Sequence, residues 1–466
     1  MKLGQIKVDK ITEKILKQIT PNAKDAEQEK QFIKKLLEKA KTTKTKAQEF
    51  EIVGSVSRNT HIKGNRDIDL FALFPKTMPR EEFEKEGLAI GKAIFRGHKW
   101  EKAYSEHPYI RGEINGFRVE VVPAYKILDA SLLQSAVDRS VFHNQYLLET
   151  LGKKEQGEAR LMKQFMKGIG CYGADLSSNG FPGYVAELLI LKYGSFKKSV
   201  QEAAQWKNQE VVDIENYYTL GEAKKKFNTH LIVVDPVDKN RNVAGALSYN
   251  QYARFVGACQ SFLKKPSENF FFPKKHKAWP TTTLKKFLKK TELVAIETGY
   301  PKGIVEDIMW GQLRRFTKKI STLCKEQDFT IKRTGEWLEK EKNLVILLEL
   351  ESTGLQKAKI ETGPEVFDEK NSLAFLKSKK KILSGPRIEE GRWIVETERK
   401  YTQIKPFLEE LLKKLKKHEK EGIRKALSKK AKTMNENEIA AMYSKNKEFQ
   451  QFLTAYLKGK EEFLDY

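Results

Sequence analysis

Asp67 and Asp69 stand two residues apart in an apolar run, Asp-Ile-Asp-Leu-Phe-Ala-Leu-Phe (67–74), with Gly54-Ser55 ahead of Asp67 and eleven residues between them. An apolar run of this kind predicts a strand, and strand alternation puts both carboxylates on one face, close enough to share hard cations. Such carboxylates suit Mg²⁺, which keeps several waters and takes one or two protein acids plus substrate phosphates. Gly54 lets the backbone approach a triphosphate, and Ser55 and Arg58 can donate hydrogen bonds to its oxygens. An Asp-x-Asp pair alone arises often on protein surfaces. The Gly-Ser at this distance, with apolar strands on both sides, singles this one out.

Chemistry on a triphosphate by two metals asks one ion to activate the attacking hydroxyl and the other to hold the leaving group. Two carboxylates on one strand seldom fix both ions, so a third acid should come from a neighbouring strand. The candidate is Glu120, the single acid among β-branched residues in Gly-Phe-Arg-Val-Glu-Val-Val-Pro-Ala-Tyr (116–125). A charge there is costly in a core unless it meets a cation. The plainer alternative is an outward-facing Glu on a half-exposed strand.

With these residues in place, a resemblance emerges. Gly-Ser-Val-Ser-Arg-Asn-Thr (54–60), Asp-Ile-Asp-Leu-Phe (67–71) and Val-Glu-Val-Val-Pro-Ala-Tyr (119–125) resemble the archaeal, class I CCA-adding enzymes, tRNA nucleotidyltransferases of the polymerase-β superfamily. Further blocks follow in the same order: Ser-Ala-Val-Asp-Arg-Ser-Val-Phe-His (135–143), Ala-Arg-Leu-Met-Lys-Gln-Phe (159–165), Gly-Cys-Tyr-Gly-Ala (170–174), Gly-Phe-Pro-Gly-Tyr-Val-Ala-Glu-Leu-Leu-Ile (180–190) and Val-Asp-Pro-Val-Asp-Lys-Asn-Arg-Asn-Val-Ala (234–244). The likeness covers residues 45–260; beyond them it is carried by length and element order.

The resemblance implies template-independent addition of C, C and A to tRNA 3′ ends from CTP and ATP, with two Mg²⁺ ions. It makes Asp67, Asp69 and Glu120 the metal ligands and catalytic acids. Ser55, Arg58, His143 and Lys163 become ligands of the triphosphate, Tyr172 a further contact to the incoming nucleotide, and Arg241 the residue that helps choose CTP and then ATP. Without the resemblance, Arg241 reads as a loop residue paired with Asp235 or Asp238, and Lys163 as one more surface lysine. The family usually carries Asp where this chain has Glu120. The extra methylene moves a carboxylate by roughly an ångström, a displacement that can cost on the order of a hundredfold in rate. Two rival readings keep the same motifs: a poly(A)-type polymerase or oligoadenylate synthetase, and a tRNA-binding relative without activity.

Composition agrees with a polyanionic partner. Lys plus Arg number 87 against 62 Asp plus Glu, a net charge of +25 over 466 residues. That excess points to nucleic acid or an acidic membrane. No apolar run approaches the ~20 residues of a membrane span, so nucleic acid is the expected partner and no membrane is expected. The three cysteines (Cys171, Cys259, Cys324) lack metal-type spacing, which indicates a reducing, cytoplasmic setting. Arg314, Arg315, Lys377, Lys379, Lys380, Lys381 and Arg387 are the candidate contacts to the tRNA acceptor/T-arm minihelix. The sequence leaves open whether two copies pair as a homodimer.

A chain this long forms two to four domains, because single cores stop growing near ~250–300 residues. Apolar spacing predicts two helices over 1–48, broken at Pro21-Asn22. Strands are expected near 50–54, 67–74, 100–104 and 117–123, with a helix over 80–95. Helices follow from Val141, Ala159 and Gly183, then a buried strand over 229–235 and a helix from Ser248. In the helix from Gly183, the stripe Tyr184, Leu188, Leu191 reads as core. The polar stretch around Arg241 reads as a loop. Beyond Lys264-Lys-Pro-Ser the order β-α-β-β suits a ferredoxin-like module, followed by a Lys-rich helical tail over 405–456. The expected architecture is thus α+β and multidomain. A polymerase-β-type catalytic domain spans 1–148, a mostly helical central domain 149–265, and a ferredoxin-like C-terminal body with its tail 266–466.

Overall fold

The computed structural model describes residues 2–129, 133–274, 277–417, 421–427 and 431–464, with side chains from residue 7 onward. They form two compact units: Met1–Lys275 with Glu461–Tyr466, and His276–Lys460.

The first unit opens with helices α1 (Lys2–Ile19) and α2 (Ala23–Thr42). The break falls at Pro21-Asn22 because the Asn22 side chain accepts the N–H of Asp25 while Asp25 accepts the N–H of Asn22, a capping box. Then come β1 (Glu49–Val53), β2 (Asp67–Pro75), α3 (Arg80–Ile94), β3 (Trp100–Tyr104), β4 (Pro108–Ile114) and β5 (Phe117–Lys126). They make one mixed sheet in the order β1-β2-β5-β4-β3, with β2 and β5 parallel and the other pairs antiparallel. Strand β4 was not expected; its Pro108, Arg111 and Gly112 blur the β-branched pattern that marks its neighbours.

Alternation sorts this sheet into two faces. Ile68, Leu70, Ala72 and Phe74 of β2, with Phe117, Val119, Val121 and Tyr125 of β5, share a core with Phe83, Ile90 and Ile94 of α3 and Leu36 of α2. Helix and sheet approach closely: a Cβ at Gly87 or Gly91 of α3 would lie 2.5 Å from Pro123 or Ile110. Phe71 and Leu73 of β2 and Val122 and Ala124 of β5 form a smaller apolar cluster on the other face. By the same alternation Asp67, Asp69 and Glu120 belong to that second face, away from the helices.

The unit continues with α4 (Arg139–Thr150), α5 (Lys153–Gly168), α6 (Gly183–Tyr193), α7 (Phe196–Ala203), β6 (Glu210–Val212), α8 (Leu220–Phe227), β7 (Leu231–Asp235), β8 (Asp238–Asn242) and α9 (Tyr249–Lys264). Its core is built around Phe165, which meets Phe196, Phe262, Phe270 and Phe271. The expected loop around Arg241 is instead β8, which turns back on β7. Its all-polar sequence hid it, since one polar edge strand gives no alternation to read.

The second unit holds α10 (Thr281–Leu288), β9 (Glu292–Gly299), α11 (Glu306–Glu326), β10 (Ile331–Glu339) and β11 (Asn343–Leu350). It continues through β12 (Ala358–Glu365), α12 (Glu369–Ser378), β13 (Ile382–Glu389), β14 (Arg392–Glu398), α13 (Ile404–Leu415), α14 (Glu421–Leu427), β15 (Lys432–Met434), α15 (Glu436–Lys445) and α16 (Lys447–Lys458). Strands β9, β10, β11 and β15 pair antiparallel in the order β10-β11-β9-β15. Counted along the chain that is 2-3-1-4, the ferredoxin-like order, with β12-β14-β13 inserted as a separate sheet. The expected tail is therefore not purely helical: β15, three residues long, joins the sheet edge. Residues 418–420 and 428–430 of that tail, and 275–276 near the start of the C-terminal body, lie outside the described residues. Both faces of the main sheet are covered. Leu344, Ile346 and Leu348 pack with α11, α13 and α14, while Val345 and Leu347 pack with α10, α15 and α16. That is why β11 reads as an unbroken apolar run.

Candidate active site

The site forms where β1, β2 and β5 lie side by side. Register places Val53 opposite Asp69 and, on the far side of β2, Asp69 opposite Glu120. Glu120 in turn faces Arg111 on β4, and Arg111 faces Glu101 on β3, bonding it from Nε at 2.8 Å. One row across the sheet thus reads Asp69, Glu120, Arg111, Glu101. Gly54 follows β1 with φ +90°, a left-handed conformation that glycine takes freely. A Cβ there would stand 2.2 Å from Asp69 Oδ2. Gly54 therefore serves the carboxylate first, by leaving room for it.

The acids crowd one another. Burial, then the charges of Glu120 and Asp67, push Asp69 up to about 7, with Arg58 the opposing influence. Burial also raises Glu120, against the pull of Arg111 and the Tyr109 hydroxyl. Tyr109 is itself pushed up to about 12 by burial and the neighbouring Glu120. Among the described residues no three His, Cys, Asp or Glu side chains close around a single point. The donors are hard carboxylate oxygens whose like charges crowd one another, which suits divalent cations that complete their shells with water and phosphate.

Arg58, Asp69, Glu120 and His143 line one cleft of about 330 Å³, together with Tyr109 and Tyr184. Behind it lies a compensated cluster. Glu187 of α6, fully buried, accepts Arg58 Nη2 at 2.9 Å and Nε at 3.3 Å, Lys163 Nζ at 2.9 Å, and the Thr60 hydroxyl. Burial alone would raise Glu187, but Lys163 and Arg58 overcome it and hold the carboxyl down at about 2. Arg58 Nη1 also donates to Asn144 Oδ1 at 2.8 Å.

The candidate residues therefore fall into distinct places. Ser55 follows Gly54 in the turn after β1, its carbonyl accepting the Thr60 N–H at 2.8 Å. Lys163 is not at the surface: it donates to Thr60 O, Thr60 Oγ1 and Glu187, so its three ammonium hydrogens are matched by protein acceptors. Tyr172 sits near Asp67, Glu187 and Arg58, its ring under Lys167 Nζ at 5.2 Å. Arg241 pairs with Asp235, one of the two partners its loop reading named, and that same carboxylate holds His143. In the second unit Arg314 and Arg315 lie on α11, and Arg314 covers the Trp310 ring. Lys377 ends α12, Lys379 pairs with Glu361, and Arg387 pairs with Glu389 and Glu396. Lys380 and Lys381 are exposed.

Three family descriptions match successive stretches: a nucleotidyltransferase domain over 30–143, the second domain of tRNA nucleotidyltransferase over 157–272, and the C-terminal domain of CCA-adding enzyme over 289–435. A CCA-adding enzyme of Archaeoglobus fulgidus is 36% identical over 399 residues, spanning 85% of this chain and 88% of that one. Those of Methanosarcina mazei and Methanothermobacter thermautotrophicus are 37% and 35% identical over 370 and 371 residues, each spanning 78% of this chain and 79% of theirs. The chain belongs to the CCA-adding enzymes. Among solved structures, a cytoplasmic RNA terminal U-transferase aligns with TM-score 0.44 at 15% identity over 55% of this chain and 94% of that one, too little to argue from.

Several residues of this CCA-adding family member escaped the sequence. Glu187 reads as one polar residue in an apolar helix, where a charge needs partners; that oddity was the only clue. Lys167 lies within electrostatic reach of Asp67, and Arg111 faces Glu120, but neither is marked by sequence spacing. Tyr184, read as core, instead lines the cleft and stacks on His143 at 4.0 Å. No helix among the described residues is long and apolar enough to cross a membrane.

Proposed function

We propose that this protein adds C, C and A to the 3′ end of tRNA without a template, taking CTP and ATP into the cleft of Asp69 and Glu120. The observation that carries the reading is the register of β2 on β5, which sets Glu120 directly beside Asp69 with Gly54 vacating the space next to them. Asp67, Asp69 and Glu120 would hold two Mg²⁺ ions; when bound, such ions lower the cost of ionising the attacking hydroxyl and neutralise the departing pyrophosphate. Glu120, raised by burial and paired across the sheet with Arg111, would accept the proton of the tRNA 3′-hydroxyl. Arg58 lines the cleft as a cation whose plane is fixed by Glu187 and Asn144, so it meets triphosphate oxygens without reorganising. Ser55 adds a hydroxyl donor beside Gly54. Lys163 supports that arrangement from behind, through Glu187.

The basic residues of the second unit would hold the acceptor/T-arm minihelix through phosphates and 2′-hydroxyls, contacts blind to sequence. Lys377 and Lys380 are exposed for that role, whereas Lys379, Lys381 and Arg387 already have acidic partners.

The test uses a tRNA transcript lacking CCA, with Mg²⁺ and labelled CTP and ATP given singly and together, resolved at single-nucleotide length. Two additions with CTP alone and a third that requires ATP are expected. Long A tails would favour a poly(A)-type activity. Salt-sensitive tRNA binding without extension would mean that Glu120 does not replace the usual Asp.

A further inference from the structure

The turn that carries Arg58 is gripped by one stripe of α5. Gln156, Arg160 and Lys163 stand at i, i+4 and i+7, one face of a helix, and together they hold residues 59–61. Arg160 Nη2 donates to Asn59 Oδ1 at 2.5 Å and its Nε to the His61 carbonyl at 2.9 Å, while Lys163 donates to the carbonyl and the hydroxyl of Thr60. A guanidinium can only donate, so the amide oxygen of Asn59 must face it. Asn59 Nδ2 is left to donate to Gln156 Oε1 at 2.9 Å.

Asn59 is where this turn needs holding. Its φ is +52°, in the left-handed region that few residues other than Gly adopt and Asn adopts more readily than most. The turn closes on itself through the Thr60 N–H to the Ser55 carbonyl at 2.8 Å and the Asn59 N–H to the Val56 carbonyl at 3.1 Å. Fixing residues 59–61 therefore fixes the path of residues 55–58 as well. Glu187 and Asn144 hold the Arg58 side chain, and the α5 stripe holds the backbone from which it springs.

Arg160 is 5% exposed, and both of its bonds go to neutral oxygens. Among the described residues it makes no ion pair: Glu29 of α2 acts on it only at longer range and stands 3.0 Å from His61 Nε2 instead. A buried cation without a bonded carboxylate lowers stability, and an apolar side chain of similar length would fill the same space without that penalty. The charge is thus kept for what it holds. We propose that Arg160 is a positioning residue for triphosphate binding, keeping Arg58 turned toward the cleft by clamping Asn59 and the His61 carbonyl. An arriving triphosphate pulls Arg58 away from Glu187, and a turn left free at Asn59 would yield to that pull. The inference rests on the reading that Arg58 meets a triphosphate in this cleft, and it adds what keeps that cation preorganised.

The test reads the Kd of CTP by calorimetry in the presence of Mg²⁺, which does not depend on turnover, and the Kd of tRNA by filter binding. Arg160→Met can neither donate nor carry charge. It should weaken CTP on the order of tenfold while tRNA affinity stays within about twofold and kcat at saturating CTP within about threefold. Arg160→Lys keeps the charge but reaches only one of the two acceptors, and should weaken CTP about threefold. Native CTP affinity in Arg160→Lys would mean that charge alone suffices, and would overturn the clamp. The deciding comparison places each substitution in an Arg58→Ala background. If Arg160 acts through Arg58, its loss there changes CTP affinity by less than about 1.5-fold. A full, multiplicative effect in the double variant overturns the proposal, and Arg160→Lys carries the same comparison where Arg160→Met does not fold. If Arg58→Ala itself binds CTP as the native chain does, the reading of Arg58 as a triphosphate ligand falls too. If Arg58→Ala binds CTP weakly and the Arg160 variants bind it normally, only the present inference fails.

Discussion

Two charge clusters meet at Arg58, and they follow opposite rules. On the sheet, Asp67, Asp69 and Glu120 gather like charges, and Asp69 is pushed up to about 7. Behind it, Glu187 is more deeply buried yet sits at about 2, because two cations and the Thr60 hydroxyl converge on it. Burial is common to both; the partners differ. A buried acid with its partners built in belongs to the scaffold, and one left short of them is waiting for a cation from outside. On the proposed function, the contrast separates structural charge behind the cleft from chemical charge within it.

The largest way to press on that contrast is Asp69→Ala. Incorporation of CTP into a tRNA lacking CCA should fall on the order of 10³-fold, while tRNA affinity measured by filter binding stays within about twofold. Comparable turnover by the variant would break the assignment of chemical charge to this cluster. Glu187→Gln presses on the other side. It strands two cations and should lower unfolding stability by about 3–5 kcal/mol in urea titrations at neutral pH. Because the folded group sits near 2 against 4.5 as its ordinary value, its contribution is fully present above pH 4.5 and lost as the pH falls toward 2. The deficit of the variant should therefore narrow in acid; a deficit independent of pH would contradict the pairing.

Gly54→Ala acts on the acid cluster alone, through the 2.2 Å approach to Asp69 and the strained φ. Displacing that carboxylate by about an ångström should cost on the order of a hundredfold in kcat. The smallest effect has the opposite sign to that of Glu187. The folded proton affinity of Asp69 is raised above its ordinary 3.8, so Asp69 withdraws stability as the pH climbs from about 4 to about 7. Asp69→Asn should accordingly raise stability by roughly 1–3 kcal/mol at pH 8 in the presence of a chelator, read as a higher Tm. A lower Tm would show that the two clusters do not differ in kind.

The same difference explains what could be read from the chain. The acid cluster was legible because strand alternation and short spacings encode it: Asp67 with Asp69 on one strand, Gly54 thirteen residues before Asp67, and Glu120 flanked by valines. The pairing of β2 with β5 followed from the need for a third acid. The Glu187 cluster joins residues 58, 60, 163 and 187, brought together by packing of α5 and α6, and no local pattern records that. Arg241 shows the same gap: its pairing with Asp235 was within reach of its own segment, but the tie of Asp235 to His143 was not, because His143 lies 92 positions from Asp235. Of the fold, the ferredoxin-like order came through in its long strands, while β15, with three residues, was too short for any period to show.

The parallel pairing of β2 with β5 also sets an order in time. Parallel neighbours cannot be joined by a tight turn, so the chain must run through α3, β3 and β4 before Glu120 can reach Asp69. During synthesis the first two acids emerge some fifty residues ahead of the third, and Glu187, which fixes Arg58, later still. A nascent chain therefore exposes two carboxylates before the acid that completes their row across the sheet has been made.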